Sequence, residues 1–192
     1  MTYLILGLVL FLGVHSVRIF AEDWRTGTRA RLGENAFKGA YSVLSLLGLA
    51  LLIWGYGQAR QQPVLLWLPP VWTRHVAALL TIPAFVLLVA SQVPGNHIRA
   101  RLRHPMVLGI KLWAFAHLLS NGMLADVVLF GSFLLWAVLS FRAARGRDRA
   151  SGAVPAPGRL GPTLVVVFGG LIAWVVFAMW AHRVLIGVRP FG

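Results

Sequence analysis

Runs of apolar residues close to a membrane's width recur along this chain, at roughly 2–21, 38–57, 73–91, 105–120, 123–141 and 162–182. A helix rises ~1.5 Å per residue, so ~20 apolar residues match a hydrocarbon core ~30 Å thick. In lipid each backbone N–H and C=O must be bonded inside the protein, and these runs are too continuous for the alternating strands of a barrel. The expected fold is therefore all-α, an integral membrane bundle of about six transmembrane helices forming one domain over residues 1–192. Composition agrees: 58% of residues are hydrophobic, the mean hydropathy is +0.77, and 12% are charged, against ~25% in an average soluble domain. The stretch from Pro105 to Phe141 exceeds one span, and Ser120-Asn121-Gly122 is a turn signal that divides it into a hairpin. The short, Pro-rich "PVLLWLPPVW" (63–72) reads as interfacial, with Trp67 and Trp72 at headgroup depth.

Charge sets the orientation. Of eighteen Lys and Arg residues, twelve fall in the segments after the first, third and fifth spans: Arg25, Arg29, Arg31 and Lys38; Arg99, Arg101 and Arg103; Arg142, Arg145, Arg147, Arg149 and Arg159. Six spans put these three loops on one side, which the positive-inside rule makes cytoplasmic, with both termini outside. This topology accounts for most of the +13 net charge and removes the case for nucleic acid as a partner. Membrane lipids, including anionic headgroups, are the partners the charge implies. The N-terminus lacks a basic leader region and reads as a retained first helix. Residues 142–161, rich in Arg, Gly, Ala and Pro, read as a flexible basic cytoplasmic loop.

Histidine is the main carrier of any chemistry. With no cysteine there are no disulfides, no Cys-ligated clusters and no covalent haem attachment, and five acidic residues, mostly in loops, support no all-oxygen cation site. His75, His104 and His182 sit at span ends, where an interfacial imidazole is ordinary, and His97 reads as a loop residue. His15 and His117 fall well inside their helices, where a neutral imidazole still needs a partner for its N–H and its lone pair. His104 and His117 are separated by about 20 Å of helical rise and about 220° of rotation, so they do not clasp one metal ion. His15 and His117, on different spans, differ in depth by about 8–10 Å, an offset that two ligands of one plate-like cofactor tolerate. His75 and His182 form a second candidate pair near the outer surface. No His-x-x-x-His spacing suggests a copper or zinc site. Tyr41, Ser45, Gly48, Leu52 and Gly55 form a seam on the second span, suited to helix packing or to close approach of a flat macrocycle.

Several stretches in order, "FLGVHSVR" (11–18), "RLGENAFKGAYSVLSLLGLALLIWGYGQAR" (31–60), "PGNHIRARLRHPMVLGIKLWAFAHLLSNG" (94–122) and "VLFGSFLLWAV" (128–138), resemble the NnrU family. That family is linked to denitrification and to nitrite and nitric oxide metabolism, and is similar to the plant 15-cis-zeta-carotene isomerases, haem b membrane enzymes. The resemblance implies residence in a bacterial inner membrane and a non-covalent haem b. It carries the iron ligands onto His15 and His117, and His104 matches the family's His-Pro histidine; His75 and His182 are further candidates by position alone. Haem propionates need cationic or donor partners, for which Arg18, Arg103 and Lys111 lie toward the cytoplasmic side and Asn121 lies on the His117 stripe.

Three functional classes follow. The first is a haem-dependent cis-trans isomerase of a polyene or other isoprenoid, whose iron exchanges a ligand with redox state. The second is a non-enzymatic haem or redox protein for nitric oxide sensing or denitrification support. The third is a membrane methyltransferase using S-adenosylmethionine: "RHPMVLG" (103–109) resembles the Arg-His-Pro-x-x-x-Gly turn of such enzymes, but the paired glutamates they use further along have no counterpart, since only Asp126 and Asp148 follow.

Overall fold

The computed structural model describes residues 1–191 and is built of helices: α1 (Thr2–Phe20), α2 (Glu22–Leu32), α3 (Glu34–Arg60), α4 (Trp72–Gln92), α5 (His97–Leu102), α6 (Pro105–Ser120), α7 (Leu124–Ala150), α8 (Leu160–Val176), a π-helical turn (Phe177–Ala181) and α9 (His182–Ile186). α1, α3, α4, α7 and the continuous run Leu160–Ile186 are each long and apolar enough to cross a membrane. The remaining expected span is α6, which is apolar but has 16 residues and so rises only ~24 Å. It begins on Pro105, whose missing N–H costs nothing at the first helical position.

These six helices pack as a row. α3 packs on α1 and also meets α7, and then α1 packs on α7, α7 on α6, α6 on α4 and α4 on α8, while the Cα atoms of α1 and α6 stay more than 8 Å apart. Glycines set the closest approaches. A Cβ on Gly48 would lie 2.7 Å from the backbone nitrogen of Phe11, and Gly7 and Gly55 meet the backbones of Leu52 and Leu4. The seam expected on the second span is thus filled by α1. Small-residue contacts of this kind are how helices associate where lipid removes any hydrophobic drive between them. Farther along, a Cβ on Gly109 would sit 2.9 Å from the Ala84 carbonyl oxygen, and one on Gly170 would sit 2.6 Å from the Val86 Cα.

The three basic loops gather at one end of the row. Arg147 donates to the Arg18 carbonyl at 3.0 Å, His104 meets Asp148, and His97 meets Thr163. The loop expected to be flexible over 142–161 is helical as far as Ala150. Alanine and arginine are good helix formers, and Asp148 is fixed there by Arg103 at 3.4 Å, Arg145 at 3.5 Å and His104 at 2.9 Å. The far end of the loop is also fastened, since Arg159 N–H donates to Gly95 O at 2.8 Å. The irregular part is therefore short. At the opposite end the Pro-rich stretch is extended and lies over the α6–α7 turn: Leu66 N–H donates to Gly122 O at 2.9 Å, and Leu124 N–H to Val64 O at 2.8 Å. Trp67 and Trp72 are both exposed there.

One buried polar pair ties α3 to α7. Tyr56 Oη donates to Asp126 Oδ1 at 2.5 Å, and Asp126 is 7% exposed. Tyr56→Phe strands a buried acceptor, so it is expected to cost about 1–3 kcal/mol. The measurement is the thermal midpoint in detergent, and an unshifted midpoint would show that the carboxyl finds another donor.

Candidate functional site

Two cavities separate the sequence-nominated residues. The larger, about 830 Å³, lies at the basic end among α1, α2, α3, α7 and the start of α6. His15 and Arg18 line it, together with Arg25, Arg29, Lys38 and Arg147. Phe37, Tyr41, Val107 and Ala144 give it apolar wall, and Glu34 and Asp148 are its acids. His15 is half-buried, and its Nδ1 donates to the Phe11 carbonyl four residues earlier at 2.7 Å. A carbonyl only accepts, so a neutral ring carries its proton on Nδ1 and its lone pair on Nε2. No described residue hydrogen-bonds that Nε2. Tyr41 stands edge-on to the ring at a centroid distance of 5.4 Å and Trp136 at 6.2 Å, which restricts its orientation. The indole Nε1 of Trp136 is buried without a partner among the described residues.

His117 has the same local device, with Nδ1 donating to the Trp113 carbonyl at 2.8 Å and the ring stacked on Phe130 at 4.5 Å. It lines the other cavity, of about 240 Å³, among α4, α6, the π-helical turn and the segment after α9. Asn121 lines it too, and its Nδ2 donates to the His117 carbonyl at 2.9 Å.

His15 and His117 therefore share a tautomer-fixing geometry but not a cavity. α7 stands between their helices, and Phe11, Phe133 and Trp113 fill the path, with successive ring centroids 6.0 and 5.5 Å apart. His182 joins His117 in the smaller cavity, where its Nδ1 donates to Val188 O at 2.7 Å, and His75 is exposed on α4. His104 reaches the larger cavity, but its Nε2 is occupied by Asp148 at 2.9 Å. Arg103 pairs with Asp148, and Lys111 places its ammonium 5.2 Å from the Phe141 ring, so neither lines the larger cavity. Arg25, Arg29, Lys38 and Arg147 do, and sequence reasoning had assigned them to topology alone. The only signal for them was density of charge, which does not say which cations face inward. No group of three or more His, Asp or Glu side chains converges as a metal site among the described residues.

A family model described as NnrU protein matches residues 3–190. The chain belongs to the NnrU family. No curated protein and no solved structure matches it. The match to NnrU spans both cavities and all six histidines. Whether a haem b suits this NnrU chain turns on donor chemistry. The larger cavity offers the His15 imidazole with its Nε2 unbonded by any described residue, five cations of which Arg18 and Arg25 are shared with Glu22 and Arg29 and Lys38 with Glu34, and a volume within the ~300–1,000 Å³ of ordinary small-molecule sites. That set fits the group, and His15 is the residue that would hold it. The methyltransferase-like turn is otherwise engaged: Arg103 and His104 hold Asp148, and Gly109 is packed against Ala84 and Leu87 of α4.

Proposed function

We propose that this protein is a haem b membrane isomerase acting on a polyene or other isoprenoid, with His15 as the residue that holds the iron. The observation that carries the reading is the His15 imidazole, which lines the larger of the two cavities with Nδ1 committed to the Phe11 carbonyl and Nε2 bonded by no described residue. Backbone acceptance at the distal nitrogen is the usual way a ligating histidine is oriented and made more basic. Arg147, which makes no ion pair among the described residues, would meet a carboxylate at the basic end, where Arg18, Arg25, Arg29 and Lys38 share their charge with Glu22 and Glu34; that end faces the cytoplasm of a bacterial inner membrane in this reading. When bound, haem b supplies iron whose ligand exchange follows its oxidation state. His15 would be the residue that holds the iron, with Tyr41 and Trp136 restricting the orientation of its ring.

The test is spectroscopic and then chemical. Protein purified in mild detergent after expression with ample haem is expected to show a Soret band that shifts on reduction, and the reduced form to convert a cis polyene to its trans isomer. Colourless protein ends the haem reading. Haem-loaded protein that binds nitric oxide tightly but turns over no polyene ends the isomerase half of it.

A further inference from the structure

The smaller cavity is not used by the proposed reaction, yet it is a built site of a different kind. Its walls are aromatic, with Phe85, Trp113, Trp174 and Phe177 among them. Its ionisable side chains are Arg74, Arg189, His117 and His182, all of one sign when charged, and no acidic side chain lines it. Neither guanidinium has an ion-pair partner among the described residues. His117 and His182 each commit Nδ1 to a backbone carbonyl, so each neutral ring keeps its Nε2 lone pair free. The wall also contains the π-helical turn through Phe177 and Ala178. Such turns interrupt the regular ladder at a cost and recur at functional sites. Arg74 opens α4 and Arg189 follows α9, so both guanidiniums lie at the end of the row away from the basic loops, beside the C-terminal Ser120 of α6.

We propose that this cavity binds a single-chain amphiphile with an anionic head, its chain among the aromatic side chains and its head between Arg74 and Arg189. Size and charge both argue for this class. At about 240 Å³ the space falls below the ~300–1,000 Å³ of drug-sized sites, which suits one chain or one ring and not a macrocycle. Two guanidiniums without ion-pair partners among the described residues line the space, and a carboxylate or phosphate forms charge-assisted hydrogen bonds with them that a neutral head does not. The inference rests on the second cavity alone and stands whether or not haem occupies the first.

Trp113 and Trp174 line the cavity and report on it directly. The full-length protein in zwitterionic nanodiscs is titrated with dodecanoate, dodecyl phosphate and dodecanol while tryptophan fluorescence is followed. Either anion is expected to bind at least about tenfold more tightly than the alcohol, and the stronger of the two identifies carboxylate or phosphate as the natural head. The Arg74→Gln/Arg189→Gln double variant is expected to lose about tenfold or more for the anions and nothing for dodecanol. Both side chains are exposed, so the variant keeps its fold, checked by its thermal midpoint. Equal affinity for dodecanol and dodecanoate, or unchanged anion binding in the double variant, overturns the proposal.

Discussion

Replacing His15 by alanine is expected to remove the Soret band of the purified protein, while His117→Ala leaves that band in place. The contrast follows from the row of helices. His15 belongs to α1 and His117 to α6, and these helices are held apart by α7, whose Phe130 and Phe133 occupy the space between the two rings. A group that merely hydrogen-bonds a metal ligand is worth about 10- to 100-fold in affinity, so loss of the ligand itself is expected to reduce haem retention by at least that much. Free imidazole offered to His15→Ala should restore the band, because the truncation leaves room beside the Phe11 carbonyl for the missing ring. Rescue separates a ligand from a merely structural side chain. Equal loss in the His15 and His117 variants would restore the pair clasping one plate across α7, and an unchanged band in His15→Ala would remove His15 as the ligand.

How the two histidines come to be separated shows where sequence reasoning stops. A span number near six, with five helices of full spanning length and the shorter α6, and the gathering of Arg25, Arg101 and Arg145 at one end were legible, because both depend on hydropathy and charge summed over many residues. Position along each helix axis was legible too, since a helix fixes rise per residue. Lateral order was not. Nothing in residues 105–150 says that α7 returns to insert between α1 and α6, a choice made by glycine contacts and by aromatic side chains meeting across helices. Two candidate ligands, His15 and His117, thus lie on opposite sides of an intervening helix. The Asp148 cluster was hidden for a related reason: Asp148 looked like one acid in a basic loop, and becomes a clamp only once α7 runs on to Ala150 and meets His104. The Nδ1 bonds of His15 and His117 to carbonyls four residues earlier were within reach of helical geometry, and they are the part of the site a sequence most nearly encodes.

Gly55→Leu is expected to be the most damaging single substitution on the α1–α3 face, with a large fall in thermal midpoint and in the yield of folded protein. A Cβ there would fall on the backbone of Leu4 and within 2.5 Å of the Tyr3 carbonyl carbon. Overpacking an ordinary core costs about 1–3 kcal/mol, because side chains can rotate away. Backbone atoms have no such freedom, so α1 must move bodily and the cost lies at or above the top of that range. Gly57, two residues on, has nothing within 4 Å of its would-be Cβ, and Gly57→Ala should be neutral or stabilising by about 0.5–1 kcal/mol through helix propensity. The pair of variants separates loss of contact from loss of glycine. Displacement of α1 also carries His15 with it, since the helix is continuous from Thr2 to Phe20. Whatever Gly55→Leu protein survives purification should therefore retain less haem per chain than the wild type, although residue 55 lines neither cavity. A Gly55→Leu protein with a wild-type midpoint would mean that α1 and α3 do not approach so closely, and the wall that positions His15 would have to be found elsewhere.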